Sequence, residues 1–361
     1  MSLRAALRAE LATLGDGVAP FDVHAHTGAD ADGTKRSSEE HLRDLEAVGG
    51  RSVIFPLCVT SGYEAENRRV LDECAAAPGL LTPFARLDPK VEAVGAAAAN
   101  ALAAGARGFK LHPRSEDFRL DHPGVDAIVS IAAAARAPVL VHAGLGVGSF
   151  GPTITALAER HRDCPLILAH AGISDLSWLA EEISDHPNLF FDTSWWNPAD
   201  LIALFSLVPP GRILFGSDAP YMGLEPVLAI ALRCSRFAGL SPEAIELVVG
   251  SQLENLLAGE APLDAGPPPG PPEAVPSPQA GRVAMAVAAT GVAKFSGGDP
   301  AQMLEMARLA LGDGSCLGES GPIIAGLLEE GSRVTREAPW ALALALTILL
   351  TPGVESTVAV A

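Results

Sequence analysis

Eight short apolar runs recur along the first two-thirds of the chain, at residues 21–26, 52–57, 81–87, 108–112, 138–142, 166–170, 189–193 and 213–217. Their length and nearly unbroken apolar character suit parallel strands buried on both faces. The stretches between them carry helix signals. Ser37-Ser38-Glu39-Glu40 is a capping box, followed by Leu42 and Leu45 and stopped by Gly49-Gly50. Asp88-Pro89 reads as an N-cap and first turn, with Gly105 closing that helix, and Pro123, Pro152, Pro198 and Pro242 stand near other helix starts. Strand then helix, eight times, predicts an α/β fold of the (β/α)8 TIM-barrel type. The alternative, an open doubly wound sheet, lacks a Gly-x-Gly-x-x-Gly after the first strand.

The pattern changes at both ends. Residues 1–15 space Leu3, Leu7, Leu11 and Leu14 among charges, an amphipathic helix rather than the apolar core of a signal peptide. From 262 to 279 prolines crowd together, predicting a stiff, extended linker between a barrel at 1–261 and a small all-α domain at 280–361. Helical runs there are expected at 300–311 (N-cap Asp299), 321–330 and 339–351. Residues 341–350 are strongly apolar but too short to cross a bilayer, so that helix packs on its own bundle or on a second copy of the chain.

Composition narrows the partners. The chain has 361 residues, 48% of them hydrophobic, and a formal net charge of -18. A large core is within reach, and nucleic acid and anionic membranes are disfavoured as partners. The five cysteines (58, 74, 164, 234 and 316) form no Cys-x-x-Cys pair, which points to a reducing, cytoplasmic setting without disulfides.

The chemistry sits at the ends of the expected strands, where a barrel of this type places its site. The first ends Asp22-Val23-His24-Ala25-His26, whose two histidines project from one strand face. The fourth carries Lys110 and His112, the fifth ends at His142, the sixth at His170 and the eighth at Asp218. Neutral imidazoles with a carboxylate suit a divalent metal, zinc foremost, with manganese or iron as alternatives. Each residue alone has a plainer reading, as a core histidine or, for Asp218, a helix N-cap before Pro220. Asp22 either orients an imidazole from behind or satisfies a backbone amide.

This ordered set resembles the amidohydrolase superfamily, specifically its amidohydrolase-related branch, which includes aminocarboxymuconate-semialdehyde decarboxylase and other nonoxidative decarboxylases. The resemblance runs from about residue 19 to 259 through Asp-x-His-x-His, Gly108-Phe109-Lys110-Leu111-His112-Pro113 and Phe215-Gly216-Ser217-Asp218-x-Pro220. It implies His24, His26 and His142 as metal ligands, His170 holding the metal or its water, and Asp218 as both ligand and base. The closing motif, residues 249–256, has Gln252 where the family has Asn, a change expected to affect packing. In some superfamily members a lysine placed like Lys110 is carboxylated and bridges two metals. Here an unmodified Lys110, one ion, and a substrate carboxylate held by Lys110, His112 and Arg114 are favoured. Trp195 and Trp196 are expected to line the pocket, and Tyr221 to approach the substrate. The implied activity is metal-dependent hydrolysis of an amide, ester or lactone-like bond in a small molecule. The alternatives are nonoxidative decarboxylation, or a noncatalytic barrel acting through its helical domain.

Overall fold

The computed structural model describes residues 2–15, 17–296 and 299–355, with backbone alone for 294–296. Eight parallel strands form the frame: β1 (Phe21–Ala29), β2 (Arg51–Pro56), β3 (Leu81–Pro83 and Ala85–Arg86), β4 (Phe109–Leu111), β5 (Val139–Val141), β6 (Leu166–Leu168), β7 (Leu189–Asp192) and β8 (Ile213–Leu214). The first part of β3 pairs with β2 and the second with β4, so this one strand joins two runs of sheet. Closure comes at the other seam. Val23 N–H donates to Phe215 O (2.9 Å), Asp218 N–H to His24 O (2.7 Å) and His26 N–H to Ala219 O (2.7 Å), which ties the end of β8 to β1. The expected barrel is therefore present, with every strand inside its predicted run or within three residues of it.

Buried Val23, Phe55, Phe84, Leu140, Ile167, Phe190 and Leu214 fill the barrel interior, and Leu253 and Leu256 of helix Gln252–Leu257 complete that cluster. A larger apolar layer lies between the strands and the surrounding helices. Helix starts follow their caps. Ser37 and Glu40 exchange both bonds of the capping box, and His122, Asn197 and Ser241 each cap a helix that opens with proline. One start differs from expectation. Asp88-Pro89 only makes a turn, in which the Asp88 carboxylate accepts from Lys90 N–H, and the helix begins later, as Val94–Ala103. The turn binds its own amides before a helix can use them. A two-residue strand, Lys35–Arg36, also pairs antiparallel with the end of β1, a hairpin that the apolar pattern does not announce.

After the barrel, the proline-rich stretch has no helix or strand before residue 278 and is fastened to the barrel. Buried Gln252 accepts from Leu263 N–H (3.0 Å) and donates to Leu263 O (3.0 Å), so the Gln at this position does shape packing. Helices Pro278–Ser296, Pro300–Leu311, Ser320–Gly331 and Ala338–Leu350 follow; residues 297–298 and 356–361 of the expected helical region lie outside the described residues. Their apolar faces share a second core with Leu3 and Leu7 of helix Leu3–Leu11 and Ala229 of helix Leu224–Phe237. The apolar run at 341–350 is thus buried within this chain. No helix among the described residues is long and apolar enough to cross a membrane, and all five cysteines are unpaired.

Candidate active site and metal centre

The carboxyl ends of the strands open into a mouth of about 470 Å³, lined by His24, His26, Arg86, His142, His170 and Asp218 among others. His24, His170 and Asp218 form a group of potential ligands, their donor atoms all within 4.8 Å of one another. Asp218 Oδ1 stands 3.3 Å from His24 Nε2 and 3.3 Å from His26 Nε2. Ligands about 2.0–2.1 Å from a tetrahedral ion are separated by about 3.3–3.4 Å, so each histidine stands from Asp218 Oδ1 at the spacing of two ligands on one cation. His142 lies one step out: its Nδ1 is 2.9 Å from His170 Nε2.

His170 Nδ1 faces the carbonyl of Ser194 (2.7 Å) and His142 Nε2 faces the carbonyl of Leu145 (3.3 Å). A carbonyl only accepts, so His170 Nδ1, the closer of the two, carries its proton and leaves Nε2 as an acceptor. Burial lowers the pKa of His170 to about 4 and that of His142 to about 2, leaving both rings neutral at pH 7. His170 Nε2 then turns a lone pair into the mouth, which a cation or the N–H of His142 Nδ1 satisfies. Burial likewise holds His24 and His26 well below the usual histidine range, the state in which imidazole binds metal. The residues present fit a divalent ion.

Two carboxylates organise this group from behind. Asp192 at the end of β7 places Oδ2 2.7 Å from His24 Nδ1, which turns His24 Nε2 toward the site; its Oδ1 accepts from His170 N–H (2.8 Å) and Ser194 N–H (2.9 Å). Asp22 touches no imidazole. It accepts from the backbone N–H of His24 (2.9 Å) and Ser217 (2.8 Å) and from the Ser217 hydroxyl (2.6 Å), and burial raises its pKa to about 7. The orienting part considered for Asp22 thus falls to Asp192, and Asp22 fixes the backbone at the seam. His170 (φ 58°) and Asp218 (φ 57°) both occupy the left-handed region, a costly conformation for non-glycine residues that concentrates at functional sites.

The remaining expected residues divide. Lys110 is fully buried, its Nζ 3.1 Å from His24 Nε2, and burial lowers its pKa to about 7 against the attraction of Asp218. Burial pushes the Asp218 carboxyl well above its usual range, opposed by the Lys110 ammonium. His112 stacks on His142 (3.9 Å between centroids, 11° between planes), and its Nδ1 accepts from Ser115 N–H. Arg114 is exposed at the lip. Trp195 is buried and bonded through Nε1 to Asp200 (2.6 Å), whereas Trp196 is 39% exposed at the lip. Tyr221 donates its hydroxyl to Asp30 at the rim.

Sequence reasoning missed Asp192 and Arg86. Asp192 was visible as the one charge in the apolar run 189–193, at a strand's carboxyl end. Arg86 likewise ends β3, paired with Glu116.

Comparisons with known proteins agree with this geometry. The family model described as Amidohydrolase matches residues 21–251. No curated protein matches the sequence. Among solved structures, the apo IDCase of Metarhizium anisopliae superposes with TM-score 0.53 at 15% identity, covering 67% of this chain and 98% of that one. A putative amidohydrolase from Staphylococcus aureus gives 0.53 at 16% identity, covering 66% and 99%. The 5-carboxyvanillate decarboxylase LigW from Sphingomonas paucimobilis gives 0.51 at 13% identity, covering 67% and 99%. At such identities these structures speak for the fold alone, and the helices from Pro278 onward lie beyond the family match. The noncatalytic alternative falls with these findings. The chain belongs to the amidohydrolase family, enzymes that act on small molecules and generally hold a divalent metal.

Proposed function

We propose that the protein is a metal-dependent hydrolase of an amide, ester or lactone-like bond in a small molecule bearing a carboxylate. The observation that carries this reading is the convergence of His24 Nε2 and His26 Nε2 on Asp218 Oδ1, beside the acceptor nitrogen of His170. These residues with His170 would hold one divalent ion, zinc by the donor set. Such an ion polarises a carbonyl and lowers the pKa of bound water to about 7.

The chain supplies the rest. Asp218 takes a proton at its carboxylate and returns it to the leaving group. His170, locked by Ser194 and Asp192, keeps the lone pair of its Nε2 turned inward. Unmodified Lys110 and Arg114 attract the substrate carboxylate, with His112 supporting the lip. Trp195 and Trp196, their rings tilted by 43°, give that side of the pocket an apolar wall.

A second reading is nonoxidative decarboxylation on the same residues. It is favoured by the likeness in fold to the 5-carboxyvanillate decarboxylase, and by Arg86 and Arg114 at the mouth with Lys110 buried behind it against His24. One experiment separates the two. Metal-loaded protein is screened in H₂¹⁸O against carboxylated lactones, amides and esters and against hydroxybenzoates, reading label in the product and CO₂ release. Label without CO₂ supports hydrolysis; CO₂ without label replaces it with the second reading.

A further inference from the structure

His112 stands just past β4 and lines the mouth, its ring stacked on that of His142 with 3.9 Å between centroids. His142 in turn places Nδ1 2.9 Å from His170 Nε2, so His112 is one ring removed from the candidate ligands. The Nδ1 of His112 accepts a hydrogen bond from Ser115 N–H (3.1 Å). A backbone N–H can only donate, so this Nδ1 carries no proton. The ring is therefore neutral, with its single proton on Nε2. Burial, which holds His112 well below the usual histidine range, agrees with that form.

The Nε2–H of His112 has no hydrogen-bond partner among the described residues. It is also reachable: Nδ1 of His26 and both ring nitrogens of His41 are sealed without partners, whereas Nε2 of His112 keeps accessible surface. The neighbouring rings offer the opposite polarity. His24 and His170 give their Nδ1 protons to Asp192 and to the Ser194 carbonyl, which leaves Nε2 of each an acceptor. Lys110 and Arg114 also donate, but as cations they suit the substrate's carboxylate. A fixed, uncharged donor suits an uncharged oxygen on which charge develops during reaction.

We propose that His112 is a catalytic hydrogen-bond donor, its Nε2–H holding the carbonyl oxygen of the substrate's scissile amide, ester or lactone-like group. This rests on the hydrolytic reading of the same site and gives His112 a part beyond supporting the lip. The bond strengthens as that oxygen gains negative charge, and no proton has to leave the ring. The test compares two probes of one shape, acetylglycine and 4-methylpentanoate, the second with a methyl in place of the carbonyl oxygen and a methylene in place of the amide N–H. Calorimetric titration of the metal-loaded full chain at pH 7 gives the ratio of their affinities. In His112→Phe, which keeps a ring against His142, the ratio shifts against acetylglycine by about three- to tenfold. In His112→Gln, whose amide N–H falls near the place of Nε2, most of that shift is recovered, and both variants keep their metal. Histidine ¹⁵N NMR, with the His112 signals assigned by their loss in His112→Phe, shows the Nε2–H form. Five results overturn the proposal: the Nδ1–H form, no saturable binding of acetylglycine, an unchanged ratio in His112→Phe, no recovery in His112→Gln, or both affinities falling together, which would assign the donor to the carboxylate. None of these readouts needs turnover, so hydrolysis can fail in the ¹⁸O experiment while the ratio still shifts, and the two failures are told apart.

Discussion

Asp192 and His24, 168 residues apart in sequence, meet fully buried with 2.7 Å between Oδ2 and Nδ1. The carboxylate fixes the His24 tautomer that leaves Nε2 free, and it also fastens the His170 backbone. Asp192→Asn keeps the shape but can offer an N–H where an acceptor is required. Loss of such an orienting partner typically costs about 10–100-fold in metal affinity. A chelator competition titration of the folded variant is expected to show a loss in that range. Unchanged affinity would mean that packing alone holds His24 in place.

The metal stoichiometry follows from Lys110. An unmodified Lys110, its Nζ 3.1 Å from His24 Nε2, would leave a site for one ion. Elemental mass spectrometry of protein prepared without chelator is expected to give one metal per chain, lost in His24→Ala and Asp218→Ala. Lys110→Met keeps that ion and weakens inhibition by simple carboxylates by about tenfold or more. Two ions per chain, with one lost in Lys110→Met, would instead identify a carboxylated lysine.

The strands and most helix starts were legible because their causes are local. Apolar runs too short for helices specify buried strands, and Ser37, Asn197 and Ser241 cap within three residues of themselves. The cluster of candidate ligands was legible because strand ends in a barrel converge whatever the loops do. What stayed hidden depends on distant partners. Nothing near Asp192 in sequence names His24, and nothing near Arg86 names Glu116, 30 residues away. Asp88-Pro89 misled for the opposite reason, since a cap signature fits a tight turn equally well.

His41 gives stability a dependence on acid. It is fully buried in helix Ser38–Val48, neither ring nitrogen has a hydrogen-bond partner, and burial lowers its pKa to about 3. The unfolded chain takes up this proton near pH 6.5 while the folded chain does not. Between pH 6.5 and 3 the unfolded state therefore binds more protons, and stability falls as pH falls, by at most about 1.4 kcal/mol per pH unit. His41→Leu removes this contribution. Urea unfolding at pH 7 and pH 5 is expected to show wild type losing about 2 kcal/mol more than the variant. Equal losses would mean that His41 finds a proton acceptor on opening to solvent.

The helices after the proline-rich stretch cover the barrel without reaching its mouth. Every residue proposed to hold the metal lies on or just beyond a barrel strand, and the barrel interior draws on nothing beyond Leu257. Yet the second core joins those helices to Leu3, Leu7 and Ala229, and Arg233, paired with Glu10 at 2.5 Å, also donates to Thr351. Ending the chain after Pro262 strips that core and leaves the apolar face of Leu3–Leu11 and part of Leu224–Phe237 in water. The shortened protein is expected to keep its metal per chain while unfolding at a temperature several degrees lower, measured by elemental analysis and calorimetry on the same sample. A soluble, folded product without metal would show that the distant helices support the site through helix Leu224–Phe237. A product that cannot fold would make barrel and helices one domain, with the boundary near Pro262 a bend in its surface.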